Sequence, residues 1–182
     1  MKRYWVIAPY RSDRSSYPDW SKGMHTFSDK QENIFEEVWR YDLKNETIAL
    51  GWSELGDTSR LSKDEFRQRF KNTFPDSKQV QYAVWKLYNE ISPGDVIIAR
   101  RGRKKMIGIG TVTGKAFYAE EKGRARVPRT DDLYPNFINV EWENKEEIEF
   151  DNQVFGMGAL CKINEDKYHF LIEEKTSEKM DR

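Results

Sequence analysis

The sequence predicts an α+β domain built on a small, twisted, mostly antiparallel, barrel-like sheet flanked by helices. Three observations carry that prediction. Short stretches rich in aromatic and β-branched residues are bounded by Pro, Gly and Asp, as strands are. Other segments place apolar residues three and four apart, the spacing of a helix with one buried face. The order of these pieces is strand, helix, strand, helix, helix and then several strands, which is an α+β order.

Each element has its own signal. Arg3–Pro9 alternates and is rich in aromatic and β-branched residues, a first strand that Pro9 stops. Tyr10–Ser28 reads as a polar loop carrying Tyr17-Pro18-Asp19-Trp20. Gln31–Tyr41 places Ile34, Phe35, Val38 and Trp39 at helical spacing. Thr47–Trp52 is a short apolar run suited to a buried strand. Ser62-Lys63-Asp64-Glu65 forms a capping box with Phe66 and Phe70 four apart behind it, so a helix starts at Leu61–Ser62. Val80, Val84, Leu87 and Ile91 mark a further helix, which Ser92-Pro93-Gly94-Asp95 turns off.

Val96–Arg100 and Lys105–Thr113 pair as a hairpin around Arg101-Gly102-Arg103-Lys104. The glycines in Gly108-Ile109-Gly110 permit close backbone packing or a bulge. Phe117–Pro135 reads as a basic loop, and Phe137–Glu143 as a strand with Ile138, Val140 and Trp142 on one face. Tyr168–Ile172 reads as the last strand. Glu173–Arg182, charged and poor in apolar residues, reads as a linker-like tail. Residues 1–143 are thus expected to form the main domain, 144–172 an extension completing it, and 173–182 the tail.

Composition excludes several classes. The chain has 182 residues, enough for a core without disulfide or metal staples. Charged residues reach 34% against 37% hydrophobic, yet 14% are aromatic, which argues against disorder. The apolar run Tyr4–Ala8 is too short to cross a bilayer or to serve as a signal core, so no membrane partner is expected. A single cysteine, Cys161, allows no internal disulfide, and the expected location is cytoplasmic. His25 and His169 lack cysteine partners, so no structural metal is expected, and no cofactor motif is present.

The zero net charge conceals a polarity. Glu141–Arg182 holds 12 acidic and 6 basic residues, whereas Arg100–Arg129 holds ten basic residues against Glu120 and Glu121. A solvated surface is the plain reading of any charge run. Two basic clusters flanking one glycine-bearing strand point instead to a patch that a polyanion would feel.

Enzyme signatures are sparse. There is no phosphate-binding glycine loop, and no nucleophile elbow. One pattern, Asp132 with Glu143 and Lys145, mimics the acidic pair and lysine of metal-dependent nucleases. The residue between Glu143 and Lys145 is Asn144, where an apolar side chain is usual.

Trp52 is the most informative residue, ending an apolar strand in Ile48-Ala-Leu-Gly-Trp52-Ser-Glu-Leu-Gly-Asp57. A core tryptophan is the plain reading, but Gly51, Gly56 and Asp57 open the backbone around an aromatic at a sheet rim. With Tyr4-Trp5-Val-Ile-Ala-Pro9, Pro93-Gly94-Asp95-Val96, Ile107-Gly-Ile-Gly110-Thr-Val112, Phe117-Tyr118 and Ile138-Asn-Val140-Glu-Trp142, the chain resembles the EVE family of the PUA-like superfamily, to which YTH domains are related. The resemblance covers about Arg3 to Trp142. The variant Gly-Trp-Ser-Glu-Leu-Gly-Asp, with a helix at Glu32–Tyr41, looks most like the N-terminal domains of McrB-type modification-dependent restriction proteins. The long polar loop Arg11–Ser28 and the acidic extension after Glu143 depart from many EVE domains.

The resemblance implies a PUA-like fold and a reader that flips a modified base into an aromatic cage. A base inside a duplex hides its Watson–Crick edge, so a reader must extrude it and replace the lost stacking with aromatic faces. Trp52 matches the cage position, with Trp20 as a second wall and Phe117 or Tyr118 next. Pro9, Tyr10, Arg11 and Ser12 are placed to read polar base edges, and Ser53 offers a hydroxyl. Arg11, Arg14, Arg100, Arg101, Arg103, Lys104, Lys105, Arg124, Arg126 and Arg129 would hold phosphates, which positions a strand without reading its sequence. The implied partners are modified double-stranded DNA, an AAA+ GTPase motor in the same full-length chain, and a separate nuclease subunit.

The expected function is therefore a non-enzymatic reader of modified DNA, with N6-methyladenine as the favoured base. RNA binding by a PUA-like domain and reading of 5-methylcytosine stand as alternatives. A metal-dependent nuclease using Asp132, Glu143 and Lys145 is the rival from another class.

Overall fold

The computed structural model describes residues 1–10, 29–127, 133–144 and 146–180. Its sheet is organised around two central strands, β1 (Tyr4–Ile7) and β3 (Val96–Arg101), which run parallel with Tyr4 beside Val96 and Ile7 beside Ala99. Parallel neighbours are normally covered on both faces, and their sequences show it. Trp5, Ile7, Ile97 and Ala99 face one apolar cluster, while Val6, Val96 and Ile98 face a second. The turn between helix and strand at Pro93-Gly94-Asp95 is tied to β1. The buried Asp95 carboxylate accepts from the backbone N–H of Arg3 and Ser92 and from the Trp5 indole at 3.0–3.1 Å.

The remaining elements are α1 (Asp29–Asn45), β2 (Thr47–Leu50), α2 (Lys63–Thr73), α3 (Ala83–Asn89), β4 (Lys105–Val112), β5 (Phe117–Tyr118), α4 (Glu120–Arg126), β6 (Asn136–Asn144), β7 (Ile148–Glu149), β8 (Leu160–Ile163) and α5 (Glu165–Met180). Among the described residues the sheet order is β2-β6-β4-β3-β1-β8, with β5 on β6 and β7 on β4, and every pairing except β1–β3 is antiparallel. An α+β fold with a mostly antiparallel, curled sheet is what the sequence predicts.

Helices cover one face. Phe35, Val38 and Trp39 of α1, Phe66 and Phe70 of α2, and Val84 and Leu87 of α3 share a cluster with Ile138, Val140 and Trp142 of β6. Trp39 meets Trp142 edge-on at 4.9 Å, and the Trp142 indole donates to the Thr47 carbonyl at 3.2 Å. The capping box forms as predicted: the Ser62 hydroxyl accepts from the Glu65 N–H, and the Glu65 carboxylate accepts from the Ser62 N–H. That backbone hydrogen bond holds the Glu65 carboxyl below its ordinary range.

The glycines of β4 act where bulges occur. Pairing with β3 slips between Ala99 and Arg100, and pairing with β6 slips between Ile109 and Gly110. A Cβ on Gly110 would stand 2.5 Å from Val140 Cγ1 and 2.6 Å from the Glu141 carbonyl, so only glycine lets β6 lie this close.

The second half departs from expectation in three places. Tyr168–Ile172 is not a strand but the middle of α5, whose first turn is closed by the Asn164 side chain accepting from the Lys167 N–H at 2.8 Å. Helix α5 continues to Met180, so residues 173–180 are helical where a linker-like tail was expected. The last strand is instead β8, which completes the sheet by pairing with β1. Within Phe117–Pro135 a short strand and a helix replace the expected loop. Gly123 in the middle of α4 lies so close to the Tyr134 carbonyl that a Cβ would stand 2.8 Å from it. No helix among the described residues is long and apolar enough to cross a membrane.

Candidate nucleic-acid interface

Chain segments leaving β1 and β2 and entering β6 converge at one rim of the sheet. β2 pairs with β6 so that Leu50 sits beside Asn136, and β5 pairs on the other side so that Tyr118 also sits beside Asn136. Asn136 is fully buried and joins the three. Its side-chain N–H donates to the carbonyls of Gly51 at 2.7 Å and Leu50 at 3.4 Å, and its oxygen accepts from the Tyr88 hydroxyl at 2.7 Å. Burial first, then the nearby Asp57 and Tyr118, pushes the Tyr88 phenol well up, so this donor keeps its proton. The effect is to pin the exit of β2, where Trp52 follows.

Trp52 is half-buried against the core and has φ 54° and ψ 41°. A non-glycine residue in the left-handed region costs about 1–3 kcal/mol and is held there only by its surroundings. Glu46 has the same φ at the end of α1, where helices commonly stop that way. Trp52 has no such helix behind it and instead opens the 3-10 turn Ser53–Leu55. Its ring stacks on no other described aromatic. Ser53 is half-buried in that turn.

Tyr134 forms the adjoining wall. Its ring lies 3.5 Å from where a Gly51 Cβ would be, and tilts against Tyr10 with centroids 5.3 Å apart. Thus Gly51-Trp52-Ser53 and Tyr134 share one rim, with Pro9 and Tyr10 behind it. Both are buried, Tyr10 in the core and the Pro9 carbonyl accepting from Arg126, so neither is placed to read a base edge as expected. Tyr118 borders it through Asn136. Its hydroxyl donates to Glu120 at 2.9 Å, and burial with that hydrogen bond pushes the phenol up to about 12. Phe117 is committed elsewhere, stacked on Phe137 at 5.5 Å with Lys122 over its ring. Trp20, Arg11, Ser12, Arg14 and Arg129 lie outside the described residues, as do Asp132 and Lys145 of the nuclease pattern. Glu143 accepts from the Thr111 hydroxyl at 3.1 Å.

The basic clusters are corrected most. Arg126 was expected on phosphates, yet it is fully buried and forms a bidentate pair with fully buried Asp42, at 2.8 Å from Nε and 2.6 Å from Nη2. Nη2 also donates to the Pro9 carbonyl at 2.7 Å, the guanidinium lies 5.4 Å from the Tyr134 ring, and Nη1 is buried without an acceptor. Burial pushes the Asp42 carboxyl up, and Arg126 and the Thr47 hydroxyl pull it back. Arg100 is likewise buried, donating to the carbonyls of Gly102 and Gly158. Both arginines brace loops rather than face solvent.

Arg101 pairs with Glu36 and lies over Phe35, Arg103 donates to the Phe155 carbonyl, and Lys105 pairs with Glu147 at 3.1 Å. Of the described residues expected on phosphates, only Arg124 and Lys104 have side chains without a hydrogen bond or ion pair.

Sequence reasoning missed Tyr134, Asn136, Tyr88 and Asp42. Asp42 had a visible signal: it stands seven residues after Phe35 and four after Val38, on the buried face of α1, where a carboxylate requires a cation. Asn136 and Tyr88 carried none, since only strand pairing brings them together.

Comparison with solved structures gives YTH domains at low identity. The Mmi1 YTH domain matches at 9% identity and a TM-score of 0.45, over 100% of this chain and 79% of that one. The YTH domain of Zygosaccharomyces rouxii MRB1, in complex with N6-methyladenosine RNA, matches at 7% and 0.44 over 94% and 85%. The mmi1 YTH protein in an RNA complex matches at 9% and 0.46 over 100% and 87%. With TM-scores under 0.5, the fold rests on this chain's own strand order. No curated protein matches the chain. A match to a family covers residues 28–160, from the start of α1 to the start of β8, and so most of the chain. The chain belongs to the family described as Domain of unknown function (DUF8426).

Proposed function

We propose that the protein is a non-enzymatic reader of modified nucleic acid, taking a flipped base at the rim formed by Gly51-Trp52-Ser53 and Tyr134. One observation carries the reading: a large aromatic, Trp52, is held half-buried in a left-handed backbone conformation, directly after Gly51, whose backbone lies against the Tyr134 ring. A core tryptophan has no need of that backbone. A flipped base needs aromatic faces, each worth about 1–3 kcal/mol of stacking.

The favoured base is N6-methyladenine in DNA. The added methyl buries apolar area worth about 1 kcal/mol, and extrusion costs less where pairing is already weakened. In this reading the domain is the targeting module of a McrB-type restriction system, with an AAA+ motor in the same full-length chain and a separate nuclease subunit. The support for DNA and for those partners is the sequence resemblance around Gly51-Trp52-Ser53-Glu54-Leu55-Gly56-Asp57.

The test is a panel of matched DNA and RNA oligonucleotides carrying adenine, N6-methyladenine, cytosine or 5-methylcytosine, bound to wild type and to Trp52→Gly. Glycine suits φ 54° and removes the ring, so the variant should fold and lose discrimination by about 1–3 kcal/mol. Its salt-sensitive binding to plain oligonucleotides should remain. A folded Trp52→Gly protein that still prefers the modified base by the same margin would refute the cage.

A further inference from the structure

The arginines expected to hold phosphates are largely occupied by partners within the protein. Arg40 and Lys44 stand four apart on one exposed face of α1, and neither side chain has a hydrogen bond or ion pair among the described residues. They line a groove of about 440 Å³ between α1 and the end of α4, with the fully buried Arg126 beneath its surface. Resting on the reader function above, we propose that this groove carries the sugar-phosphate backbone of the strand whose base enters the rim, with Arg40 and Lys44 as its phosphate contacts.

Three features support the assignment. The first is electrostatic: Asp42 cancels Arg126, leaving Arg40 and Lys44 opposed only by Glu37 among the groove's lining residues, while exposed Arg124 sits next to the groove residue Ala125. The second is connection. The buried Arg126 borders the groove from beneath and also holds the Pro9 carbonyl and faces the Tyr134 ring, so one side chain braces both groove and rim. A backbone in the groove is therefore next to the place where its base would enter. The third is rigidity: the buried Asp42–Arg126 pair ties α1 to α4 and fixes the groove's two banks. Lys44 also complements the negative end of α1, but Arg40, a full turn earlier, has no such role.

The experiment neutralises both cations in the full chain, Arg40→Gln with Lys44→Gln, and measures oligonucleotide affinity across a salt series with plain and modified bases. Losing two phosphate contacts should make the slope of log K against log salt shallower by roughly 1.8 on duplex DNA, or roughly 1.4 on a single strand. Both oligonucleotides should weaken by the same factor, leaving the modified-to-plain ratio unchanged. Lys71→Gln with Lys78→Gln, also exposed, is the charge-matched control and should leave the slope unchanged. If wild type binds with discrimination but the Arg40/Lys44 variant keeps the wild-type slope, the groove assignment is overturned and the reader function stands. If the slope falls while no modified base is preferred, the groove stands and the reader function falls. If wild type binds none of the oligonucleotides, both fall.

Discussion

Replacing Arg126 with methionine separates a buried structural arginine from a phosphate contact. The guanidinium is fully buried, doubly bonded to a fully buried carboxylate, and donates to the Pro9 carbonyl. Methionine keeps much of the volume but leaves Asp42 buried without its cation. Breaking such a pair by removing one partner costs about 3–5 kcal/mol. With a urea slope of about 1–3 kcal/mol per molar, the unfolding midpoint should fall by roughly 2 M. The loss should depend on pH. Burial pushes the Asp42 carboxyl up, and without Arg126 only the Thr47 hydroxyl opposes it. The folded variant then keeps a proton that the unfolded chain releases in the ordinary carboxylate range. A folded pKa above the unfolded one gives stability that is present at low pH and lost as pH rises through the folded value. The deficit against wild type should therefore be smallest in acid and full at neutral pH. Urea melts at several pH values measure this, and the salt slope of nucleic-acid binding should not change. A deficit under about 1 kcal/mol with a slope shallower by about one contact would refute the reasoning and return Arg126 to the phosphates.

Three further substitutions probe the frame of the site. Gly110→Ala forces a Cβ to within 2.6 Å of both Val140 and the Glu141 carbonyl, and should destabilise by about 1–3 kcal/mol in a denaturant melt. Gly114→Ala, whose nearest contact is 3.4 Å, should cost clearly less, and equal effects would dismiss the close approach as the cause. Tyr88→Phe leaves the buried Asn136 oxygen without its donor and should cost about 1–3 kcal/mol by the same assay. A change under about 0.5 kcal/mol would mean that the Tyr88 hydrogen bond does not hold the β2 exit.

Local chemistry was readable along the chain, and tertiary chemistry was not. Ser62 and Glu65 announce their helix because a capping box is complete within four residues. Ile138, Val140 and Trp142 announce a strand face because alternation alone fixes it. The Tyr168–Ile172 stretch looks extended in composition, yet Tyr168, Leu171 and Ile172 stand three and four apart, and all pack on the second cluster from a helix. Helix α4 escaped notice because a glycine sits at its centre, and the reason for that glycine is Tyr134, eleven residues away. Charge counting along Arg100–Arg129 failed for a related reason. A linear sum gives Arg100 and Arg126 the same weight as Arg124, although two are buried and one is exposed. Trp52 was legible as a candidate from its flanking glycines. Its neighbours Tyr134 and Asn136 were not, because strand register brings them there.

The position of β1 governs the order in which the molecule can be assembled. Its hydrogen-bonding partners on both sides are made much later: Tyr4 lies beside Val96, 92 residues on, and beside Ile163, near the end of the described chain. During synthesis the first strand therefore emerges with neither edge occupied and with Trp5, Val6 and Ile7 still in water. It must wait for β3 before one edge closes and for β8 before the other does. Pairings of such long sequence separation carry the largest loop-closure cost and come slowly. The matched family segment, residues 28–160, contains β3 but not β1, and reaches only the first residue of β8. A fragment cut to that segment would open the edge of β3 that β1 covers and expose Ile97 and Ile98, both fully buried in the whole chain. The smallest piece able to hold its sheet shut is thus longer at both ends than the stretch by which its kin are recognised.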